Sequence, residues 1–191
     1  MISEVYIRNL QTLFSDRLAV WGVFDRHPDR AQGRAAQFAL PRVYGTLEQM
    51  LSDPEIDIVL DLCPPQAHYE INRLALEAGK HVYSEKPLAA QAAQGAELVR
   101  LAREKGVRLG CAPDVPLGAM IQTARHLVDA GAVGRVVGAT ANLFKQGVET
   151  WHPNPNFLYQ PGAGPLMDMG PYYLTALLHI VGPFASVSAM D

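Results

Sequence analysis

The chain has 191 residues, 49% of them hydrophobic and 18% charged, with 16 Lys+Arg against 19 Asp+Glu and a formal net charge of -3. This is the profile of an ordered globular protein, and the lack of basic excess gives no grip on nucleic acid or on an anionic membrane surface. Cys63 and Cys111 make no metal-ligand spacing and suit reduced, packed thiols, so neither a metal site nor a disulfide framework is expected. No apolar run nears the ~18 residues of a membrane span and the opening residues lack a signal-peptide layout, so the expected location is cytoplasmic.

Ile2, Val5, Tyr6, Leu10 and Leu13 fall near one helical face, so an amphipathic helix opens the chain over residues 2–13. Leu18 to Phe24 is a mostly apolar run of the buried parallel-strand type and closes at Asp25. Residues 30–38 suit a helix, Val43-Tyr44 a short strand, and Thr46 with Gln49 makes a capping box for a helix from Leu47 to Ser52. Ile56 to Leu62 is the next buried strand, halted by Cys63-Pro64-Pro65.

His68 to Ala78 is a helix stopped by Gly79, and Gly79 to Ala89 then reads as turn, strand and a lysine, Lys86, at the strand's C-terminal end. Gln91 to Lys105 is a further helix closed by Gly106, and Val107 to Cys111 another strand. The alternation predicts right-handed βαβ crossovers and an α/β doubly wound parallel sheet, incomplete at its N-terminus. Composition changes over Ala112 to Gly118, which divides the chain into domains 1–112 and 113–191. In the second domain Met120 to Ala130 is helical and Arg135 to Phe144 alternates as a strand.

Ligands of open α/β sheets gather at the C-terminal ends of the strands, where three groups stand out. Asp25 is either a turn or cap residue or a partner for adenosine ribose hydroxyls. His68, after Pro64-Pro65, either touches a bound nicotinamide ribose or sits at the start of the helix with a satisfied hydrogen bond. Lys86, restricted by Pro87, is either a solvated charge or a proton-transfer group beside a cofactor.

Farther on, the Pro161 to Tyr173 stretch joins glycines to a helix that puts Asp168 and Tyr172 one turn apart on one face, able to address one substrate. The alternative is a carboxylate capping the helix, with tyrosines in the core. Trp151-His152-Pro153-Asn154 begins a loop suited to a sugar-like ligand and equally to plain scaffolding. No G-x-G-x-x-G precedes Asp25, and the first strand that would carry it is absent.

Three runs in this order, Pro64-Pro65-x-x-His68, Gly79 through Glu85-Lys86-Pro87, and Gly162-Ala163-Gly164-x-x-x-Asp168-x-Gly170, resemble the Gfo/Idh/MocA family of NAD(P)-dependent oxidoreductases over essentially the whole chain. The resemblance implies an N-terminal Rossmann domain and a C-terminal α/β domain on an open, mainly antiparallel sheet. The implied chemistry is hydride transfer between a nicotinamide dinucleotide and a hydroxyl or carbonyl carbon of a sugar, cyclitol or related polyol.

Carried over by residue, Lys86 would contact nicotinamide ribose and substrate and assist proton transfer. Cys63, Pro64, Pro65, His68 and Glu85 would line the nicotinamide side, and Asp25 the adenosine ribose. Asp25 favours NAD, while Arg26 would accept the 2′-phosphate of NADP. Asp168, Tyr172, Trp151 and His152 would meet the substrate, Tyr172 standing where the family often has histidine. The missing glycine turn and early stop make this sequence resemble the middle of a longer protein, which as a homo-oligomer is the expected form. The rival expectations are NAD-dependent glycosidic cleavage, a non-catalytic binding or regulatory protein, and an inactive fragment.

Overall fold

The computed structural model describes residues 2–144, 146–150, 155–159 and 164–190. It divides into two compact units, Met1–Cys111 and Ala112–Asp191.

In the first unit, helix α1 (Ile2–Leu13) leads to β1 (Gly22–Val23), α2 (Pro28–Phe38), β2 (Arg42–Val43) and α3 (Leu47–Ser52). Then come β3 (Ile58–Asp61), α4 (Pro65–Glu77), β4 (His81–Ser84), α5 (Ala92–Lys105) and β5 (Leu109–Cys111). All strand pairs are parallel: β1 with β2, and β3-β4-β5 as a three-stranded sheet in which Asp61, Ser84 and Cys111 stand side by side at the C-terminal edge. The mixed α/β, Rossmann-like class expected from the sequence is therefore present.

The expected strand from Leu18 to Phe24 shrinks to Gly22 and Val23, because it pairs only with Arg42 and Val43 and its ladder can be no longer than that partner. Helix α4 begins three residues earlier than expected, with Pro65 in its first turn and Pro64 as its N-cap. A proline there costs nothing, since the first N–H groups of a helix lack intrahelical partners anyway. Thr46 Oγ accepts the Gln49 N–H at 3.2 Å, and Gln49 Oε1 accepts the Gly45 N–H at 3.1 Å, so the capping box closes one residue upstream of its usual position.

The main core joins Val59 of β3 and Val82 of β4 to Ala75 and Leu76 of α4 and to Leu98 and Ala102 of α5. A second, smaller cluster joins Ile7 of α1 to Ala35 and Leu40. Beneath the first cluster Asp53 is buried, accepting from the Tyr44 hydroxyl at 2.6 Å and pairing with Arg42 at 3.1 Å. Those bonds hold the Asp53 carboxyl below its usual range, the Tyr44 hydroxyl being the largest cause.

The second unit contains α6 (Ala119–Asp129) and α7 (Pro165–Val181), with short 3₁₀ turns at Val115–Leu117, Val148–Thr150 and Pro155–Tyr159. The strand expected at Arg135 to Phe144 does not form: among the described residues nothing pairs with it, and Val137 and Phe144 are exposed. Alternating residues make a strand only when a neighbour takes the backbone hydrogen bonds. The open antiparallel sheet expected for this domain is accordingly not represented among the described residues.

No helix among the described residues is long and apolar enough to cross a membrane, and no group of three His, Cys, Asp or Glu among them is placed to hold a metal ion.

Candidate active site

The C-terminal ends of β1, β3 and β4 carry the first unit's candidate site residues. After β1, half-buried Asp25 accepts the His27 N–H at 2.8 Å, closing the turn into α2, and Arg26 beside it is exposed. The turn role raised from the sequence is thus realised by one carboxylate oxygen.

Asp61 ends β3 and is 2% exposed. Its Oδ1 accepts the Cys63 N–H at 3.0 Å, while its main-chain oxygen accepts the Glu85 N–H at 2.8 Å. Cys63 is exposed as a residue, yet desolvation at its sulfur, with the Asp61 carboxylate next, pushes the thiol up to about 12. Asp25 and Arg26 also act on that thiol, so the loops after β1 and β3 lie within electrostatic reach of each other. Cys111, ending β5, is pushed up to about 11 by burial and then by Glu85 and Asp61.

His68 is fully buried in the first turns of α4. Its Nδ1 lies 2.6 Å from the Pro87 carbonyl oxygen and its Nε2 2.7 Å from that of Cys63. The tautomer decides which carbonyl receives the proton of a neutral ring. Either way, the ring ties the loop after β3 to the loop after β4, and both of its nitrogens face the protein's own backbone.

Glu85 follows β4. Its Oε1 accepts the Tyr6 hydroxyl at 2.8 Å and its Oε2 accepts the Lys86 N–H at 3.1 Å. Burial and then the Glu85 carboxylate raise the Tyr6 hydroxyl well above its ordinary value. Half-buried Lys86 comes next, joined to Pro87 by a cis peptide. Pro64, Pro65, Cys63, His68, Glu85 and Lys86 are thus brought together around two adjacent strand ends.

In the second unit, Asp168 lies in the first turn of α7, its N–H donating to the Gly164 oxygen at 2.9 Å, and Tyr172 lies one turn farther along. Both are half-buried. An acidic side chain at that end complements the helix dipole, while Gly164 rather than Asp168 occupies the N-cap position. Trp151 and His152 lie outside the described residues.

The sequence reading passed over Tyr6, Asp61, Asn72 and Ser84. Asp61 had a signal, as a carboxylate inside the apolar Ile58-Val59-Leu60-Asp61-Leu62 run. Asn72 had one too, four residues after His68 on the helix face that carries Ala75 and Leu76 into the core. Tyr6 had none, because its partner lies 79 residues away.

Residues 1–112 match the family model described as an oxidoreductase family with an NAD-binding Rossmann fold, and residues 121–190 match the GFO/IDH/MocA C-terminal domain. The chain belongs to the Gfo/Idh/MocA oxidoreductase family. Among its relatives, it is 34% identical over 173 residues to dTDP-3,4-didehydro-2,6-dideoxy-alpha-D-glucose 3-reductase of Saccharopolyspora spinosa, covering 89% of this chain and 51% of the reductase. It is 31% identical over 175 residues to D-glucoside 3-dehydrogenase of Escherichia coli, covering 91% of this chain and 49% of the enzyme. The WlbA dehydrogenase of Bordetella pertussis, solved with NADH and UDP-GlcNAcA, shares the fold at a TM-score of 0.81 and 24% identity, over 95% of this chain and 53% of that one. This Gfo/Idh/MocA chain spans about half the length of the curated relatives it matches.

The donor set at the strand ends fits a nicotinamide dinucleotide. Asp25 offers a carboxylate acceptor for ribose hydroxyls at one strand end, and Lys86 offers an ammonium donor at another. The apolar Pro64-Pro65 pair stands next to the Cys63 carbonyl that His68 fixes.

Proposed function

We propose that this chain is part of a dehydrogenase that transfers a hydride between a nicotinamide dinucleotide and a carbinol or carbonyl carbon of a sugar or related polyol. The observation that carries the reading is the placement of Lys86. It follows a parallel strand's C-terminal end and is flanked by two residues, Glu85 and Pro87, that buried or half-buried side chains hold in place. Membership in an oxidoreductase family sets the reaction class, and relatives named for glucosides and deoxyglucose derivatives support a sugar-like substrate.

In this reading Asp25 binds the adenosine ribose, which favours NAD, and Arg26 is the residue that would meet a 2′-phosphate in NADP. Pro64, Pro65 and the Cys63 backbone form the wall on the nicotinamide side. His68 is a positioning residue, since both ring nitrogens are directed at main-chain carbonyls. The dinucleotide, when bound, supplies the hydride acceptor or donor at nicotinamide C4.

As hydride leaves a secondary alcohol, its hydroxyl proton must leave too. Lys86 Nζ, as the neutral amine, takes that proton in oxidation, and as the ammonium returns it in reduction. Asp168 and Tyr172, one turn apart on α7, hold substrate hydroxyls. In the longer protein a homo-oligomer is the expected form, and the whole enzyme acts on a small molecule.

The test is turnover with a panel of aldoses, glucosides and cyclitols, followed as NADH absorbance, in the full-length protein and its Lys86→Ala variant. Accumulating NADH that falls at least a hundredfold in Lys86→Ala supports the reading. Unchanged turnover removes the role of Lys86. Substrate cleavage without net NADH favours the glycosidic alternative. The 191-residue chain titrated with NADH should bind weakly, because no glycine-rich phosphate turn precedes Asp25.

A further inference from the structure

Lys86 lies between two residues whose carbonyl oxygens both face polar side chains. His68 Nδ1 stands 2.6 Å from the Pro87 oxygen on one side. On the other, Asn72 Nδ2 donates to Ser84 Oγ at 3.0 Å, and the Ser84 hydroxyl donates to the Glu85 carbonyl at 2.9 Å. His68 and Asn72 are four residues apart on α4, and His68, Asn72 and Ser84 are all 0% exposed.

The relay has a direction. A serine hydroxyl has one proton, and only a donor at position 72 leaves that proton for Glu85. Simple packing does not call for such a pair, since leucine and alanine would fill similar space with no polar atom to desolvate. Asn72 Oδ1 is moreover buried without a hydrogen-bond partner among the described residues, so the arrangement retains an amide at a net cost in desolvation. A cost of that kind is expected where a side chain sets the geometry of a working group.

We propose that Asn72 and Ser84 are positioning residues that orient the backbone at Glu85-Lys86 and so fix where the Lys86 ammonium is presented. The proposal rests on the reading of Lys86 as the proton-transfer group, and it adds a second arm to the support given by His68. Both arms arise from one rigid helix, so α4 sets the direction of the lysine from both sides.

The experiment measures the rate at which Lys86 is acetylated by acetic anhydride between pH 7 and 11, by peptide mass spectrometry, in the 191-residue chain. The variants are Ser84→Ala and the double Asn72→Leu/Ser84→Ala, each with a thermal melt in parallel. Ser84→Ala strands the Asn72 amide and lowers the melting temperature, whereas the double variant removes both polar partners and regains much of it.

If the pair positions Lys86, its rate profile shifts about threefold or more in both variants, with exposed Lys105 as the unchanged internal standard. A profile equal to wild type in both variants overturns the proposal. So does a shift seen only in the less stable single variant, because that would track stability. Should Lys86→Ala retain full turnover, the proton-transfer reading fails while this profile still reports whether the pair orients the residue.

Discussion

Replacing His68 by leucine separates two roles that the sequence left open. Leucine nearly fills the volume of the ring and removes both contacts, at 2.6 Å to the Pro87 oxygen and 2.7 Å to the Cys63 oxygen. A neutral ring donates to one of these two oxygens, and leaving that buried acceptor unpaired costs about 1–3 kcal/mol. At about 4 °C per kcal/mol for a unit of this size, the melting temperature falls by about 4–12 °C.

The assay is a thermal melt followed by Trp21 emission, in a background with Trp151 changed to Phe so that the signal comes from the first unit alone. His68→Gln, which keeps one amide donor, should recover part of the loss. A histidine that touched nicotinamide rather than backbone would behave in the opposite way: leucine would leave the melt near wild type and weaken NADH binding. A loss under about 0.5 kcal/mol refutes the clamp, since a surface-like substitution does no more.

Other outcomes follow from groups around the same sheet. The Tyr44 hydroxyl is raised to about 12 by burial and by Asp53, so the stability it lends is complete below its unfolded value near 10 and is lost as pH climbs from about 10 to about 12. Urea midpoints across that window should converge for wild type and Tyr44→Phe, and parallel lines would contradict the linkage. Cys63, pushed up to about 12, should react with iodoacetamide at pH 8.5 on the order of a hundredfold or more slower than an unperturbed thiol, and Asp61→Asn should quicken it. A Cβ added at Gly22 would lie 2.6 Å from the Tyr44 ring and 3.0 Å from the Arg42 oxygen, so Gly22→Ala should cost about 1–3 kcal/mol in a urea melt.

Much of the first unit was legible because its signals are local. Helix stops at Gly79 and Gly106 fall at glycines with φ of 75° and 68°, a region that other residues avoid, and the apolar runs mark the parallel strands. Strand length was not legible, since Leu18 to Phe24 carries a strand composition along its whole run while its partner offers two residues. The Arg135 to Phe144 run failed for the same reason in stronger form. Composition reports what a segment prefers, and pairing is a property of two segments.

The site divides along that same line. Residue type and strand-end position were enough to single out Asp25, His68 and Lys86, but the role of each depends on what its polar atoms already face. Asp25 Oδ1 is engaged by the turn into α2, and both nitrogens of His68 are directed at carbonyl oxygens, so neither side chain offers a bound ligand all of its polar atoms. Lys86 differs from both in length, and the backbone on either side of it is held by neighbouring bonds. In the proposed reading, a rigid base with a long side chain lets a strand end carry an amine toward a substrate hydroxyl, which a short carboxylate or a buried imidazole at the same edge does not do.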